Sequence, residues 1–305
     1  MSSDLSRRRF LHQAALASAG AALAGRFSLA DAAPGDIRFG YAAITWQGQD
    51  KQAIEDVAAV GFKGIQLRTS ALPEFGDKPA ALKELLAKHG LAMVAFSSGS
   101  VRMEPEFEAE DIATHTRHAR FVRDVGGQYL QLTDIRPQRA LVPADYRRLG
   151  QLMTEIGKRT ADMGIPVAYH NHMNAIGERP DEVDWVLDAA DPRVVKMLLD
   201  VAHYQQGGGD PARAVKKYGE RILFLHIKDV QSPLPGTTGD PMRSYRFVEL
   251  GHGKVDVKAV FAALNDIKFR GWAIVELDAV PDKARTPKES AVMSRQYLEK
   301  LGFTV

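Results

Sequence analysis

Eight times between residues 37 and 301 the chain repeats one unit, a short apolar run followed by a longer segment with helical periodicity. The apolar runs fall at 37–41, 64–68, 91–97, 129–132, 166–172, 194–201, 222–228 and 271–277. Runs this short and this continuously apolar read as strands buried on both faces, which is the signature of a parallel sheet. The helical segments fall at 51–60, 79–88, 110–125, 143–163, 180–189, 211–218, 257–264 and 287–301. Gly61, Gly90, Gly126 and Gly164 each follow a helical segment, where a left-handed residue ends the helix, and Pro143, Pro180, Pro211 and Pro287 each open one. Eight strand–helix units predict a TIM (β/α)8 barrel in a single domain spanning 33–305. An open doubly wound sheet is the alternative; no Gly-x-Gly-x-x-Gly follows the first strand, which weakens it.

A barrel of this kind gathers its chemistry at the C-terminal ends of the strands, and there the polar residues repeat. The fifth run ends in His170-Asn171-His172, the sixth in Asp200 with His203 three residues on, the seventh in His226-Ile227-Lys228-Asp229, and the eighth in Glu276-Leu277-Asp278. Asp200, His226 and Glu276 each stand last or next to last after an apolar run, where a side chain reaches the barrel mouth. Two carboxylates and a neutral imidazole, completed by water and substrate oxygens, suit Mn2+, Mg2+, Co2+ or Zn2+. The 305 residues include no cysteine, so thiolate metal sites, disulfides and thiol nucleophiles are excluded. The turn-rich stretch 231–241 is too long for a simple connection and reads as a lid over the mouth, a variable surface excursion being the alternative. Gln66, Arg68 and Trp46, near the ends of the first two strands, are candidate pocket residues. His89, His115 and His118 fall on helical patterns and read as surface residues.

The N-terminus stands apart. Ser6-Arg7-Arg8-Arg9-Phe10-Leu11 precedes an alanine-rich apolar run from Ala14 to Ala24, and Ala30-Asp31-Ala32 offers small residues for cleavage. The pattern resembles a twin-arginine signal peptide over residues 1–32, which implies export of the folded protein to the periplasm or beyond. The apolar run is too short to remain as a membrane anchor. Without those residues the chain carries 36 basic and 36 acidic side chains and no formal charge. A neutral chain disfavours a nucleic-acid partner, which needs clustered positive charge.

Four motifs carry a wider resemblance: Leu-Asp-Val-Ala-His at 199–203, His-Ile-Lys-Asp at 226–229, Glu-Leu-Gly-His-Gly-Lys-Val-Asp at 249–256 and Val-Glu-Leu-Asp at 275–278. Over residues 36–302 the chain resembles the xylose isomerase-like TIM barrels of the sugar phosphate isomerase/epimerase family. In that family a divalent metal is held by a Glu after strand five, an Asp after six, a His after seven and a Glu after eight. The resemblance assigns Asp200, His226 and Glu276 as ligands and His203 to substrate hydroxyls. Strand five departs from the pattern, with His170-Asn171-His172 in place of Glu-Asn-His, a feature closer to the inosose dehydratase branch. Glu178 is the expected fourth ligand, with His170 the alternative. The catalytic groups expected on this basis are Glu178, Glu276 and His170, and the substrate contacts are His172, His203, Lys228, Glu249 and Arg243.

The resemblance implies abstraction of a proton beside a sugar carbonyl, with the metal stabilising the enediolate. The first expectation is a carbohydrate isomerase or epimerase. The alternative is a lyase that dehydrates 3-keto sugars or inosose-like ketones. A nuclease is disfavoured, because the Asp-x-His that supplies further zinc ions in the related repair endonucleases is absent. A sugar-binding barrel without catalysis is the remaining class. The expected partner is a small carbohydrate; the sequence leaves the oligomeric state open, a homodimer being one candidate.

Overall fold

The structure, a computed structural model, describes residues 37–305, so the expected signal at 1–32 lies outside the described residues. Eight parallel strands close into a barrel in the order β1 (Ile37–Ala42), β2 (Gly64–Arg68), β3 (Ala92–Val101), β4 (Tyr129–Asp134), β5 (Val167–His170), β6 (Val195–Asp200), β7 (Ile222–Ile227) and β10 (Gly271–Val275), the last pairing back onto β1. The single-domain TIM barrel expected from the repeat is the fold observed.

The outer ring comprises α1 (Asp50–Val60), α2 (Leu72–Phe75), α3 (Pro79–Lys88), α4 (Glu108–Val125), α5 (Pro143–Ala161), α6 (Pro180–Ala189), α7 (Val201–Gln206), α8 (Pro211–Tyr218), α9 (Val257–Asp266) and α10 (Pro287–Lys300). Their apolar faces, with the outward residues of the strands, form one continuous core that includes Ile54, Val57, Leu82, Val122, Leu149, Ile156, Val186, Val260 and Leu298. A second cluster fills the barrel interior: Ala42, Val94, Ala168, Leu198, Phe224, Trp272 and Ile274. Gly40 and Gly64 make room for it. A Cβ on Gly40 would lie 2.6 Å from Ile274 Cδ1, and one on Gly64 would lie 2.6 Å from Trp272 Cζ3.

This plug sets the height of the site. Side chains alternate in and out along each strand, so the residues two steps beyond the plug also point inward. Above Gly64 stands Gln66, above Tyr129 stands Gln131, above Ala168 stands His170, above Leu198 stands Asp200, above Phe224 stands His226, and above Ile274 stands Glu276. One polar layer therefore lies directly on one apolar layer.

Four local details differ from expectation. β3 continues past Ser97 to Val101 through a register shift between Ser97 and Ser100. β6 stops at Asp200, because that side chain caps α7 by accepting from the backbone N–H of Ala202 (2.9 Å) and His203 (2.8 Å). The stretch after β7 also contains a short antiparallel pair, β8 (Asp229–Gln231) with β9 (Arg246–Val248), flanking an exposed loop. His115, expected at the surface, is buried, and His118 is partly so: both place Nδ1 on Ser98 Oγ, at 2.6 and 2.7 Å, under the β3 irregularity. No helix among the described residues is long and apolar enough to cross a membrane.

Candidate metal centre and active site

Where β5, β6, β7 and β10 end, four ligand-type side chains converge. His170, Asp200, His226 and Glu276 are all buried, and one ligand atom from each lies within 4.8 Å of the others. His226 Nδ1 is 3.4 Å from Asp200 Oδ2 and 3.3 Å from Glu276 Oε1, while His170 Nε2 is 3.5 Å from Asp200 Oδ2. Three of these atoms, His170 Nε2, Asp200 Oδ2 and His226 Nδ1, are buried without a hydrogen-bond partner. Orphaned buried polar atoms are costly, and three aimed at one point require something between them. A divalent cation fits the donor set and its separation.

The charge balance agrees. Lys228 Nζ, fully buried on β7's C-terminal side, donates to Glu276 Oε1 at 3.0 Å and to Asp278 Oδ1 at 2.6 Å. With Asp200, three carboxylates face one ammonium, and the deficit is two charges, that of a divalent ion. Without one, His226 takes up protons: burial alone would depress it, but Glu276 and Asp200 outweigh burial and push it to about 9. Burial works to raise Asp200 and Glu276, and the neighbouring cationic groups, Lys228 among them, reverse this and hold both well below the usual carboxylate range. Burial pushes His170 down to about 4.

Supports behind these groups are specific. Asn171 bridges β5 and β6, donating to Asp200 O (3.2 Å) and accepting from Asp200 N–H (2.9 Å). Gln66 and Gln131, both buried, run between the two imidazoles: His226 Nε2 to Gln66 Oε1, Gln66 Nε2 to Gln131 Oε1 and Gln131 Nε2 to His170 Nδ1, each 2.8 Å. Met173 N–H donates to His203 Nδ1 at 3.1 Å, and His172 donates from Nδ1 to Met173 O at 2.7 Å. The two rings lie with centroids 3.8 Å apart, tilted by 36°.

The centre forms one wall of a cavity of about 600 Å3 whose other walls come from β2, β3 and β4, including Arg68, Ser100, Thr133 and Asp134. His170, His172, Glu276 and Asp278 face it. Burial raises Asp134 to about 6, opposed by bonds from Ile176 N–H and Tyr169 O–H. The loop after β8 is tied to α7, where Gln206 Nε2 donates to Pro241 O and Met242 O, and the Phe247 ring centroid lies 3.9 Å from Lys228 Nζ, covering it.

Of the expected site residues, the structure brings Asp200, His226, Glu276, His170, His172, His203 and Lys228 together. Glu178 lies outside the four-residue group. Arg243 donates to both its oxygens, at 2.7 and 3.0 Å, and Asn174 N–H donates at 2.6 Å, so its carboxylate anchors the lid loop to the turn after β5. Arg243 is occupied by the same contact. Glu249 is buried elsewhere, accepting from Ser290 Oγ at 2.9 Å beside Arg285. Trp46 is core, its Nε1–H on Asp56. Asp229 accepts backbone N–H bonds from Val230, Gly251, Gly253 and Val255, which fixes the turn that follows. Gln131 was missed; extending the inward parity to β4 marks it directly.

The family model for xylose isomerase-like TIM barrels matches residues 54–301. An inosose dehydratase of Geobacillus kaustophilus is 24% identical over 296 residues, 87% of this chain and 94% of the relative. Among solved structures, IolI protein with a bound zinc atom superposes with a TM-score of 0.73 at 19% identity, covering 87% of this chain and 97% of that one. The probable 3-DHS dehydratase AsbF from Bacillus anthracis follows at 0.68 and 16%, covering 86% and 98%. The similarity to curated relatives named inosose dehydratase overturns the isomerase/epimerase expectation in favour of its lyase alternative. With the closed barrel, the cation centre and a family model that spans most of the chain, the protein belongs to the xylose isomerase-like TIM barrel family.

Proposed function

We propose that the protein is a carbon–oxygen lyase, a divalent-metal-dependent dehydratase of a cyclic polyhydroxy ketone such as an inosose-like ketone or a 3-keto sugar. One observation carries the reading: three unpartnered buried polar atoms converge beside a polar cavity that also receives an imidazole with a lone pair to spare. The dehydratase names of the relatives support the outcome of the reaction. Asp200, His226 and Glu276 would hold the cation, which supplies Lewis acidity at the substrate carbonyl oxygen and so acidifies the adjacent C–H.

The protein's own groups do the rest. His172 donates from Nδ1 to Met173 O, so in the neutral ring Nε2 is the bare nitrogen. It takes the proton from the carbon next to the carbonyl. The electron pair left behind forms the carbon–carbon double bond as the hydroxyl on the next carbon departs, and the imidazolium returns its proton to that hydroxyl. An unsaturated ketone and one water result, with no change of oxidation state. Lys228 holds the Glu276 carboxylate in place through its bridge to Asp278. Arg243 and Glu178 tie the loop after β8 to the turn after β5.

The test is absorbance of the conjugated product from a keto-cyclitol and keto-sugar panel. Metal-stripped protein is expected to be silent and to recover with Mn2+ or Co2+. His172→Gln is expected to lower kcat by roughly 10²–10⁴ with metal affinity unchanged, the usual weight of a positioned acid–base group. Equal product formation with and without metal would refute the proposal.

A further inference from the structure

The glutamine pair beneath the centre couples the proton positions of two imidazoles. Gln66 and Gln131 are buried, 4% and 3% exposed, and reach only each other and the two histidines. An amide NH2 only donates and an amide carbonyl only accepts. With Gln66 Nε2 on Gln131 Oε1, the Gln131 NH2 faces His170 Nδ1, which must accept. The Gln66 carbonyl then faces His226 Nε2, which must donate. A neutral imidazole carries one N–H, so His170 has its proton on Nε2, and His226, once a cation has displaced its second proton, has a bare Nδ1.

The reverse polarity, with both amides turned, satisfies the glutamines equally well. It would place a proton on His226 Nδ1, which lies 3.4 and 3.3 Å from Asp200 Oδ2 and Glu276 Oε1, the locus of the cation. Turning one amide alone would set two NH2 groups or two carbonyls face to face in a buried site, which loses a hydrogen bond outright. A cation between the carboxylates therefore selects one polarity for the whole chain.

We propose that Gln66 and Gln131 form a tautomer lock that gives His226 Nδ1 to the metal and withholds His170 from it. His170 is then not a fourth ligand. Its Nε2–H points at the same locus and donates to the substrate oxygen bound there, polarising it without a change in its own charge. This use of His170 rests on the lyase reading; the lock itself does not. Gln66 and Gln131 act as positioning residues, reaching the reaction only through the two rings.

The experiment uses the full chain labelled with nitrogen-15 at histidine. In metal-free protein, correlation of the ring nitrogens with the ring carbon protons is expected to show His170 as the Nε2–H tautomer. After loading with cadmium-113, one imidazole nitrogen is expected to show one-bond coupling to the metal, and His226→Gln is expected to remove it. Gln131→Glu places an acceptor on His170 Nδ1, moves the proton there and is expected to create a second coupled nitrogen. A His170 Nε2 coupled to cadmium in the unmodified protein would overturn the lock, as would an Nδ1–H tautomer of His170. Protein that takes up no cadmium would overturn the proposal together with the metal reading, whereas cadmium coupled to one His226 nitrogen in a protein without lyase activity would leave the lock standing and overturn only the lyase reading. The unmodified protein alone decides the question, whatever the folding of the variants.

Discussion

Asp200 shows how much a single side chain is asked to do at the barrel mouth. One of its oxygens accepts the N–H groups of Ala202 and His203 in the first turn of α7, and the other, unpartnered, faces the two imidazoles. The helix cap aims the ligand, so position and chemistry are not separable there. His226 is the other pivot. Metal-free, it keeps a proton up to about pH 9, because Glu276 and Asp200 outweigh its burial. A cation must displace that proton from Nδ1. Binding near neutral pH is therefore expected to release about one proton, and affinity to fall roughly tenfold for each unit of pH below the His226 value. Calorimetry of Zn2+ binding in two buffers with different ionisation heats measures the release directly; an affinity flat across neutral pH would contradict it. At this scale the sequence was informative wherever a ligand followed an apolar run. It misled at Glu178, because nothing in the spacing reveals that Arg243, 65 residues away, takes that carboxylate.

Between strand and helix, the irregular part of β3 has a counterpart in α4. Ser98 sits where the register shifts, and His115 and His118 both reach its hydroxyl. Burial lowers His115 to about 4, below its unfolded value of about 6.5. A depressed histidine is neutral in the fold, so its contribution is complete above pH 6.5 and is lost as pH falls towards 4. The span is worth about 3 kcal/mol, an order-of-magnitude figure. Urea unfolding at several pH values is expected to show His115→Gln losing less stability over that window than the unmodified protein. Equal losses would assign the acid sensitivity to other groups. The helix pattern of residues 110–125 was legible, but which face turned inward was not, since His115 alternates among polar neighbours. Likewise the interior plug was hidden: Gly40 and Gly64 look like punctuation in sequence and are in fact the space taken by Ile274 and Trp272.

For the whole molecule, the eight-fold repeat was enough to give the barrel, because parallel strands buried on both faces leave few other closures. The outcome of the reaction was not legible in the same way. Isomerisation and dehydration share the same first proton transfer, and they part only in what leaves the neighbouring carbon. That choice depends on how the substrate lies in the 600 Å3 cavity rather than on which ligands the strands present. We also propose that residues 1–32 direct the folded chain out of the cytoplasm, on the strength of Ser6-Arg7-Arg8-Arg9-Phe10-Leu11 and the small residues at 30–32. Fractionation is expected to find a shortened chain outside the cytoplasm, and Arg7→Lys with Arg8→Lys is expected to keep it inside at full length. An unmodified chain that stays inside uncut would refute this.

The central claim is that a water leaves. Metal-loaded protein turning over an inosose-like ketone or a 3-keto sugar in deuterated solvent, followed by mass spectrometry of the product, tests it most directly. The account predicts a product lighter than the substrate by one water, formed only when the cation is present. A product with the substrate's own composition, altered only by deuterium at the carbon beside the carbonyl, would contradict it.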